Sequence, residues 1–387
     1  MKNLKHIDLF AGIGGFRIAV NKAGYETVWT NDIDKMACDV YEDNFGKGSV
    51  ICDDINNIPI KSIPKHDLLT AGFPCQPFSA AGKKMGTKDK TRGTLFEKII
   101  EVLEFHQPKY FLLENVRRLL SMDDGIHFKI ILEALASLNY FIEWRLINPL
   151  QFGIPQNRDR VFIYGIKNPV VTNSHQTLEK YSVLLDETDL ENLKFFNYQL
   201  EDEMKLISNS DKKFGNWGIA YSNKFFTQML EPLPNQLKPK LLKDLLEDNP
   251  SPEFDFTGDT LNRLNGSEKI HGYINGVEVL YNQKGGARMG YTVFGVNGVA
   301  PTLTASTSRH YERYKIEKRF RRLTNIEYAR LMGFPDNWCN VTTSYNQYFL
   351  YGNAVVPQCV EWIVKRFGQK NIDFKLMVPK QPSLLFQ

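Results

Sequence analysis

Lys5-His6-Ile7-Asp8-Leu9-Phe10-Ala11-Gly12-Ile13-Gly14-Gly15-Phe16 is the stretch on which the architecture of this 387-residue chain turns. Its first half reads as a strand, its glycines as a turn, and Ile18, Ala19 and Val20 carry the pattern into a helix that closes near Gly24. Glycines at a strand-to-helix turn let the backbone approach a ligand and leave helix amides free. A second strand, Thr27–Thr30, ends at Asn31-Asp32-Ile33-Asp34. Asp32 lies 20 residues beyond Gly12, the interval at which a carboxylate meets ribose hydroxyls in nucleoside-binding βαβ units. The glycines depart from the Gly-x-Gly-x-x-Gly spacing of dinucleotide sites. Turn and carboxylate together point to an adenosine-containing cofactor, with capping of a helix over Lys35–Phe45 as the competing role for Asp32.

Working outward, three more strands end in polar residues. Ser49–Cys52 leads to Asp53-Asp54-Ile55, and Lys109–Leu113 leads to Glu114-Asn115-Val116. Between them, His66–Ala71 leads to Gly72-Phe73-Pro74-Cys75-Gln76-Pro77-Phe78-Ser79. Helical spacing over 93–105 and 128–138 alternates with these strands, which predicts an α/β fold with a doubly wound, mostly parallel sheet. Such sheets hold their ligands at the carboxyl ends of the strands, where Cys75 and Glu114 emerge. A lone cysteine beside a turn is usually a small buried residue. Pro74 and Pro77 fix the backbone on both sides of Cys75, so its thiol is aimed. A carboxyl group at a sheet mouth, such as Glu114, is suited to a raised pKa and acid chemistry, or more plainly to capping the next helix. Further on, Arg158 and Arg160 alternate in Gln156-Asn157-Arg158-Asp159-Arg160, ahead of the strand Val161–Tyr164, and point the same way if extended.

Composition sets the bounds. A hydrophobic share of 42% is ordinary for a globular protein, and the length suits two domains. No apolar run reaches the length of a membrane span and the amino terminus lacks a signal-peptide core, so a cytoplasmic protein is expected. Cysteines at 38, 52, 75, 339 and 359 form no Cys-x-x-Cys pair, which argues against a metal site or a disulfide framework. A net charge of +4 is too small to identify a partner.

With these residues in place, the chain resembles the bacterial DNA (cytosine-5) methyltransferases. The motifs Asp8–Gly15, Asn31–Asp34, Asp54-Ile55, Gly72–Ser79, Glu114-Asn115-Val116, Gln156–Arg160, Arg322–Pro335 and Gly352-Asn353-Ala354-Val355 occur in the family's order. They cover about residues 6–166 and 320–360. The resemblance implies a Rossmann-like methyltransferase domain formed by 1–167 and 339–387, with S-adenosyl-L-methionine as cofactor. By the same resemblance Cys75 adds to carbon 6 of cytosine and Glu114 holds ring nitrogen 3 and the exocyclic amine. Arg160 would bind the ring carbonyl with Arg158 close behind. Phe10, Gly12, Gly14 and Gly15 would cradle the cofactor, with Asp32 on its ribose and Asp54 and Ile55 near the adenine. Pro74, Leu95, Asn353 and Val355 would complete the pocket. In one branch of the family a tryptophan follows the ribose carboxylate; here the residue is Ile33, so aromatic stacking gives way to apolar contact.

A base inside a duplex is out of reach of a thiol, so the cytosine must be flipped out. The segment 79–92 has glycine hinges and offers Ser79, Lys83, Lys84 and Arg92 to the phosphates as a closing lid, although a basic loop is more often only solvated. From about residue 168 the character changes. Acidic helices are expected over Leu184–Leu193 and Lys238–Leu246, and glycine-spaced β-like runs over Ile270–Thr304. A run from Arg309 to Arg322 interleaves basic and aromatic residues, and Arg309, Arg313 and Lys315 are expected at phosphates or base edges. Residues 168–338 therefore form the expected target-recognition domain, smaller and strand-rich, and Cys359–Phe367 is expected to return as a helix onto the first domain. The partner is double-stranded DNA, with a cognate restriction endonuclease as a functional companion and a monomeric enzyme. A nicotinamide dehydrogenase would explain the glycine turn and Asp32 but not Cys75 with Glu114. The alternatives of an RNA (tRNA) cytosine-5 methyltransferase and of a silent DNA-binding module differ from this reading in substrate and in turnover.

Overall fold

The computed structural model describes residues 4–74, 95–170, 174–195, 203–210, 213–264, 267–282, 292–305 and 312–367. The opening stretch folds as read: β1 (Leu4–Leu9) enters the glycine turn and leaves as α1 (Gly15–Lys22). After it come β2 (Tyr25–Asp32), α2 (Lys35–Phe45), β3 (Ile51–Cys52), β4 (Leu68–Gly72), α3 (Leu95–His106), β5 (Tyr110–Val116) and α4 (Ile126–Ser137). The chain then turns back through β6 (Tyr140–Ile147) and β7 (Arg160–Lys167). Residues alternate between the faces of this sheet, as the pleat requires. Leu68, Leu112, Phe162 and Tyr164 pack toward α1 and toward α10 (Pro357–Lys365), the helix that returns near the carboxyl end. Leu69, Phe111, Leu113, Val161 and Ile163 face α3 and α4 on the other side. Both faces are thus covered, which is why the strands read as nearly continuous apolar runs.

The order of the large sheet is β3-β2-β1-β4-β5-β7-β6, extended by β9 (Trp217–Tyr221), β10 (Lys224–Gln228) and β8 (Lys205–Leu206). Pairings from β3 to β5 are parallel, and those from β5 onward are antiparallel. The sheet is therefore mixed: the parallel part matches expectation, and a mostly parallel sheet is not what forms. Because β7 runs opposite to β5, its first residue Arg160 lies across from Val116, at the same edge where the parallel strands end.

Residues 205–228, placed in the second unit by composition, extend the first sheet through β6 and β9. Buried polar groups hold this extension. The Glu143 carboxylate accepts from Ser182 Oγ at 2.6 Å, the Val183 amide at 2.8 Å and Trp217 Nε1 at 3.0 Å. Arg145 pairs with Asp189 in the interior. The helix expected over Lys238–Leu246 is only a 3-10 turn, Leu242–Leu245. Its leading amides, of Leu242 and Lys243, donate instead to the carbonyls of Gly298 and Val296. The acidic helix forms later than expected, at Glu187–Phe195.

A second sheet has the order β11 (Glu268–Ile274), β12 (Val277–Asn282), β13 (Thr292–Phe294), β14 (Arg313–Ile316) and β15 (Arg319–Arg321). Its Val277, Val279, Phe294 and Tyr314 share a buried cluster with α1 and α10, so the two sheets are packed against a common core. Among the described residues no helix is long and apolar enough to cross a membrane.

Candidate active site

The carboxyl ends of β1, β2, β4 and β5 converge on a cavity of about 830 Å³. The glycine turn forms its floor: Phe10 and Gly12 adopt φ values of 55° and 53°, and α1 starts after Gly14 without a side-chain cap. Gly15 is required by close approach, since a Cβ there would lie 2.6 Å from the Val355 carbonyl. Asp32 accepts the Gly12 amide at 2.7 Å and the Asp34 amide at 2.8 Å, one on each carboxylate oxygen. It does not cap α2; Asp34 does, accepting from the Met36 amide at 2.8 Å. Burial raises the Asp32 pKa, with the Asp34 charge adding to the rise, and the backbone amides of Asp34, Gly12 and Ile33 act in the opposite sense.

On the far wall stands Glu114, opposite Gly72 in the β4–β5 register. Its Oε1 is 3.0 Å from Arg160 Nε, and both side chains are largely enclosed. Burial raises the Glu114 pKa, while Arg160 and Arg158 pull it down. Asn115, next along the strand, is buried and donates from Nδ2 to the Phe73 carbonyl at 2.9 Å. It thereby braces the segment that carries Pro74 on the cavity wall. No role was expected for Asn115; an amide, both donor and acceptor, directly after a strand-end carboxylate is the signal that marks it.

Arg158 behaves differently from Arg160. It is 2% exposed, and its guanidinium donates to the carbonyls of Leu303 (2.9 Å), Gly352 (2.9 Å) and Ala354 (3.1 Å). Gln156, also buried, accepts from the Leu303 amide at 3.0 Å and donates to the Leu331 carbonyl at 2.7 Å. The strip Gln156–Arg160 is thus a seam between the two sheets as well as part of the site.

Phe10, Gly12, Gly15, Asp32, Ile33, Asp54, Ile55, Pro74, Leu95, Asn353 and Val355 all line the cavity, together with Glu114, Arg158 and Arg160. Ile33 is 66% exposed at its rim. Asp54 Oδ1 is engaged by the Asn56 amide and side chain at 2.9 Å, so the residue also caps a short turn. Gly14 lies off the cavity wall, under the rings of Phe45 and Tyr41. Cys75, Ser79, Lys83, Lys84, Arg92 and Arg309 lie outside the described residues. Arg313 and Lys315 sit on β14, half-buried, with Lys315 Nζ 5.7 Å and 5.9 Å from the ring centres of Phe320 and Tyr281. Other members of the basic run are engaged inside the protein. Arg319 pairs with Asp255, Arg321 with Glu327, and Arg322 lies over Phe254.

A nucleoside-type turn and a carboxyl–guanidinium pair thus share one cavity at the parallel edge of the mixed sheet. The model of the C-5 cytosine-specific DNA methylases matches residues 4–369, and the chain belongs to that family of DNA cytosine-5 methyltransferases. Over 361 residues it is 35% identical to the Type II methyltransferase M.NgoBI of Neisseria gonorrhoeae, spanning 92% of this chain and 90% of that one. Type II methyltransferase M.HhaI of Haemophilus parahaemolyticus is 31% identical over 381 residues, 97% of each chain. Among solved structures, the S. pombe Dnmt2 methyltransferase superposes with a TM-score of 0.60 at 18% identity, covering 94% of this chain and 98% of that one. A putative DNA modification methyltransferase encoded within an E. coli prophage gives 0.56 at 20% identity, with the same coverage. Family and relatives favour DNA over the RNA alternative.

Proposed function

We propose that the chain transfers the methyl group of S-adenosyl-L-methionine to carbon 5 of a cytosine flipped out of a specific duplex DNA sequence, with Cys75 as the nucleophile. The observation that carries this reading is the Glu114–Arg160 pair beside Gly72–Pro74, on the wall of the cavity that Asp32 and the glycine turn also line. The strand order reverses between β1 and β4, and the cavity opens there. That placement supports a doubly wound, Rossmann-like arrangement for the parallel part.

The residues present fit the cofactor. Gly12 has open space where a Cβ would project, and the uncapped start of α1 suits the polar end of an amino-acid moiety. The Asp32 carboxylate accepts the Gly12 and Asp34 amides and lines the cavity, where a ribose hydroxyl would donate to it. Ile33 and Ile55 offer apolar contact to adenine, with Asp54 near its amine and Phe10, Pro74, Leu95, Asn353 and Val355 around it. When bound, S-adenosyl-L-methionine supplies an electrophilic methyl group.

Cytosine carbon 5 is a poor nucleophile until addition of a thiolate at carbon 6 turns the ring into an enamine. The Cys75 thiolate forms a bond to carbon 6 and displaces the ring electrons toward nitrogen 3. Glu114 holds a proton there more readily because burial raises its pKa. Arg160, held against Glu114, would donate to the ring carbonyl. After methylation, loss of the carbon 5 proton returns the electrons and expels the thiolate. Choice of DNA sequence belongs to residues 168–338, above all to the sheet β11–β15, with Arg309, Arg313 and Lys315 toward the duplex. The Type II relatives support a modification enzyme paired in function with a restriction endonuclease. In this reading the enzyme acts as a monomer.

The test is a trap. DNA with 5-fluorocytosine at the target has no carbon 5 proton to lose, so the wild type should give a complex stable to denaturation. Cys75→Ser should form none and should lose methyl transfer by ~10³-fold or more while still binding DNA. Turnover by the serine variant near the wild-type rate would overturn the covalent route.

A further inference from the structure

We infer that Arg158 is a positioning residue that ties the cofactor-pocket wall to the seating of the five-stranded sheet, so that DNA on that sheet alters the affinity for the cofactor. This rests on the function proposed above. The guanidinium bridges two segments distant in sequence. Leu303 belongs to 300–305, which continues from the small sheet, and Gly352 and Ala354 belong to the stretch that brings Asn353 and Val355 to the cavity. The same two segments are in direct contact, because a Cβ on Gly352 would lie 2.7 Å from the Thr304 carbonyl. Gln156 fixes the Leu303 amide from the other side, and two residues beyond Arg158 the backbone carries Arg160 to Glu114.

A planar fork that satisfies three carbonyls tolerates little relative motion, and a close-packed interior passes displacement on instead of absorbing it. Movement of 303–305 when DNA seats would therefore reach 352–354 through the Arg158 fork together with the direct contact at Gly352. Lysine at 158 would keep the charge but has neither the fork nor the geometry to hold both segments.

The experiment measures binding of S-adenosyl-L-homocysteine by calorimetry, with and without a duplex carrying the methylated sequence found by bisulfite sequencing. In the wild type, DNA should tighten binding by on the order of 5–50-fold. In Arg158→Lys, and in Gly352→Ala, which parts the seam from the opposite side, the ratio should fall below about twofold. Methyl transfer by Arg158→Lys should then show a raised KM for the cofactor in larger proportion than any loss of kcat. A residue that only stabilised the fold would lower the melting temperature and leave the ratio intact, which overturns the inference. So does a wild type whose cofactor affinity ignores DNA. Failure of the underlying function looks different: the wild type would neither bind the probe nor methylate DNA.

Discussion

At the carboxyl edge of the parallel strands, Asp32, Glu114 and Arg160 face a common cavity. On β15 and just beyond it, by contrast, Arg319, Arg321 and Arg322 turn to Asp255, Glu327 and Phe254 within the protein. The difference follows from topology. Parallel strands end together with their last side chains around a crevice that no following element fills. The antiparallel β14–β15 hairpin instead lies against α8 (Asn325–Leu331) and the 250–256 segment, which offer acceptors at once. A charge at the first place is available for chemistry; a charge at the second is part of the packing.

Glu114→Gln tests the first half of that contrast most severely. The amide keeps the shape of the side chain but cannot deliver a proton to ring nitrogen 3. Methyl transfer should fall by ~10³-fold, with cofactor binding and melting temperature little changed. Single-turnover methylation with labelled cofactor reads this directly. A variant within tenfold of wild type would place Glu114 with the packing charges.

Arg321→Leu makes the reciprocal test. Arg321 is 1% exposed, and its two terminal nitrogens each lie 2.7 Å from a Glu327 oxygen in a fully buried pair. Removing one partner leaves a buried carboxylate, which costs about 3 kcal/mol. Urea denaturation should show that loss. The catalytic rate of the remaining folded enzyme should not change, because nothing in this pair touches the cavity.

These two residues also mark what could be read from the chain. Glu114 was legible because an apolar run ending in a carboxylate, next in line to the Cys75 strand, has one place to be in a parallel sheet. Arg160 was legible for the same reason, although it arrives from the start of an antiparallel strand. Arg158 looked equivalent at alternate spacing, and its separate use was hidden because its acceptors lie 145 and 194 residues away. β9 and β10 were missed since both are short and β9 is interrupted by Gly218, which fits beneath Trp144 only in the folded sheet. In the basic run, the Thr324–Glu327 capping box was the available clue that a carboxylate would lie close to Arg321.

Below the cavity a third test distinguishes the edge from its floor. Asp8 is fully buried, accepts from Thr70 Oγ1 at 2.6 Å, and is pushed up to about 8 by burial, with Asp32 adding to the rise and Arg17 opposing it. His6, held to Thr70 at 2.7 Å, is kept neutral by its own burial. An unfolded aspartate titrates near 4, so the folded state retains a proton that the unfolded chain loses. The stability from that retained proton is present below about pH 4 and is lost as pH rises toward 8. Asp8→Asn removes the titration, so its stability should be flatter over that window and exceed that of the wild type at pH 8.5. Parallel pH profiles in denaturation would show the group to be ionised in the fold.

The smallest effect is expected at Lys315, which stands between the two kinds of charge. Its ammonium lies over Phe320 and Tyr281, as a packing charge would, but it pairs with no carboxylate among the described residues. Rings beneath a half-exposed lysine stem leave the head group free to reach a phosphate. If it does so, Lys315→Ala should weaken DNA binding by about 1 kcal/mol, equally for target and unrelated duplexes. The slope of log affinity against log salt should then flatten by about 0.9, the value for one phosphate neutralised. If the lysine serves only the rings, the loss should instead appear as about 0.5–1 kcal/mol of stability with the salt slope intact. Affinity measured at several salt concentrations separates the two outcomes, because only a contact with phosphate releases a counterion.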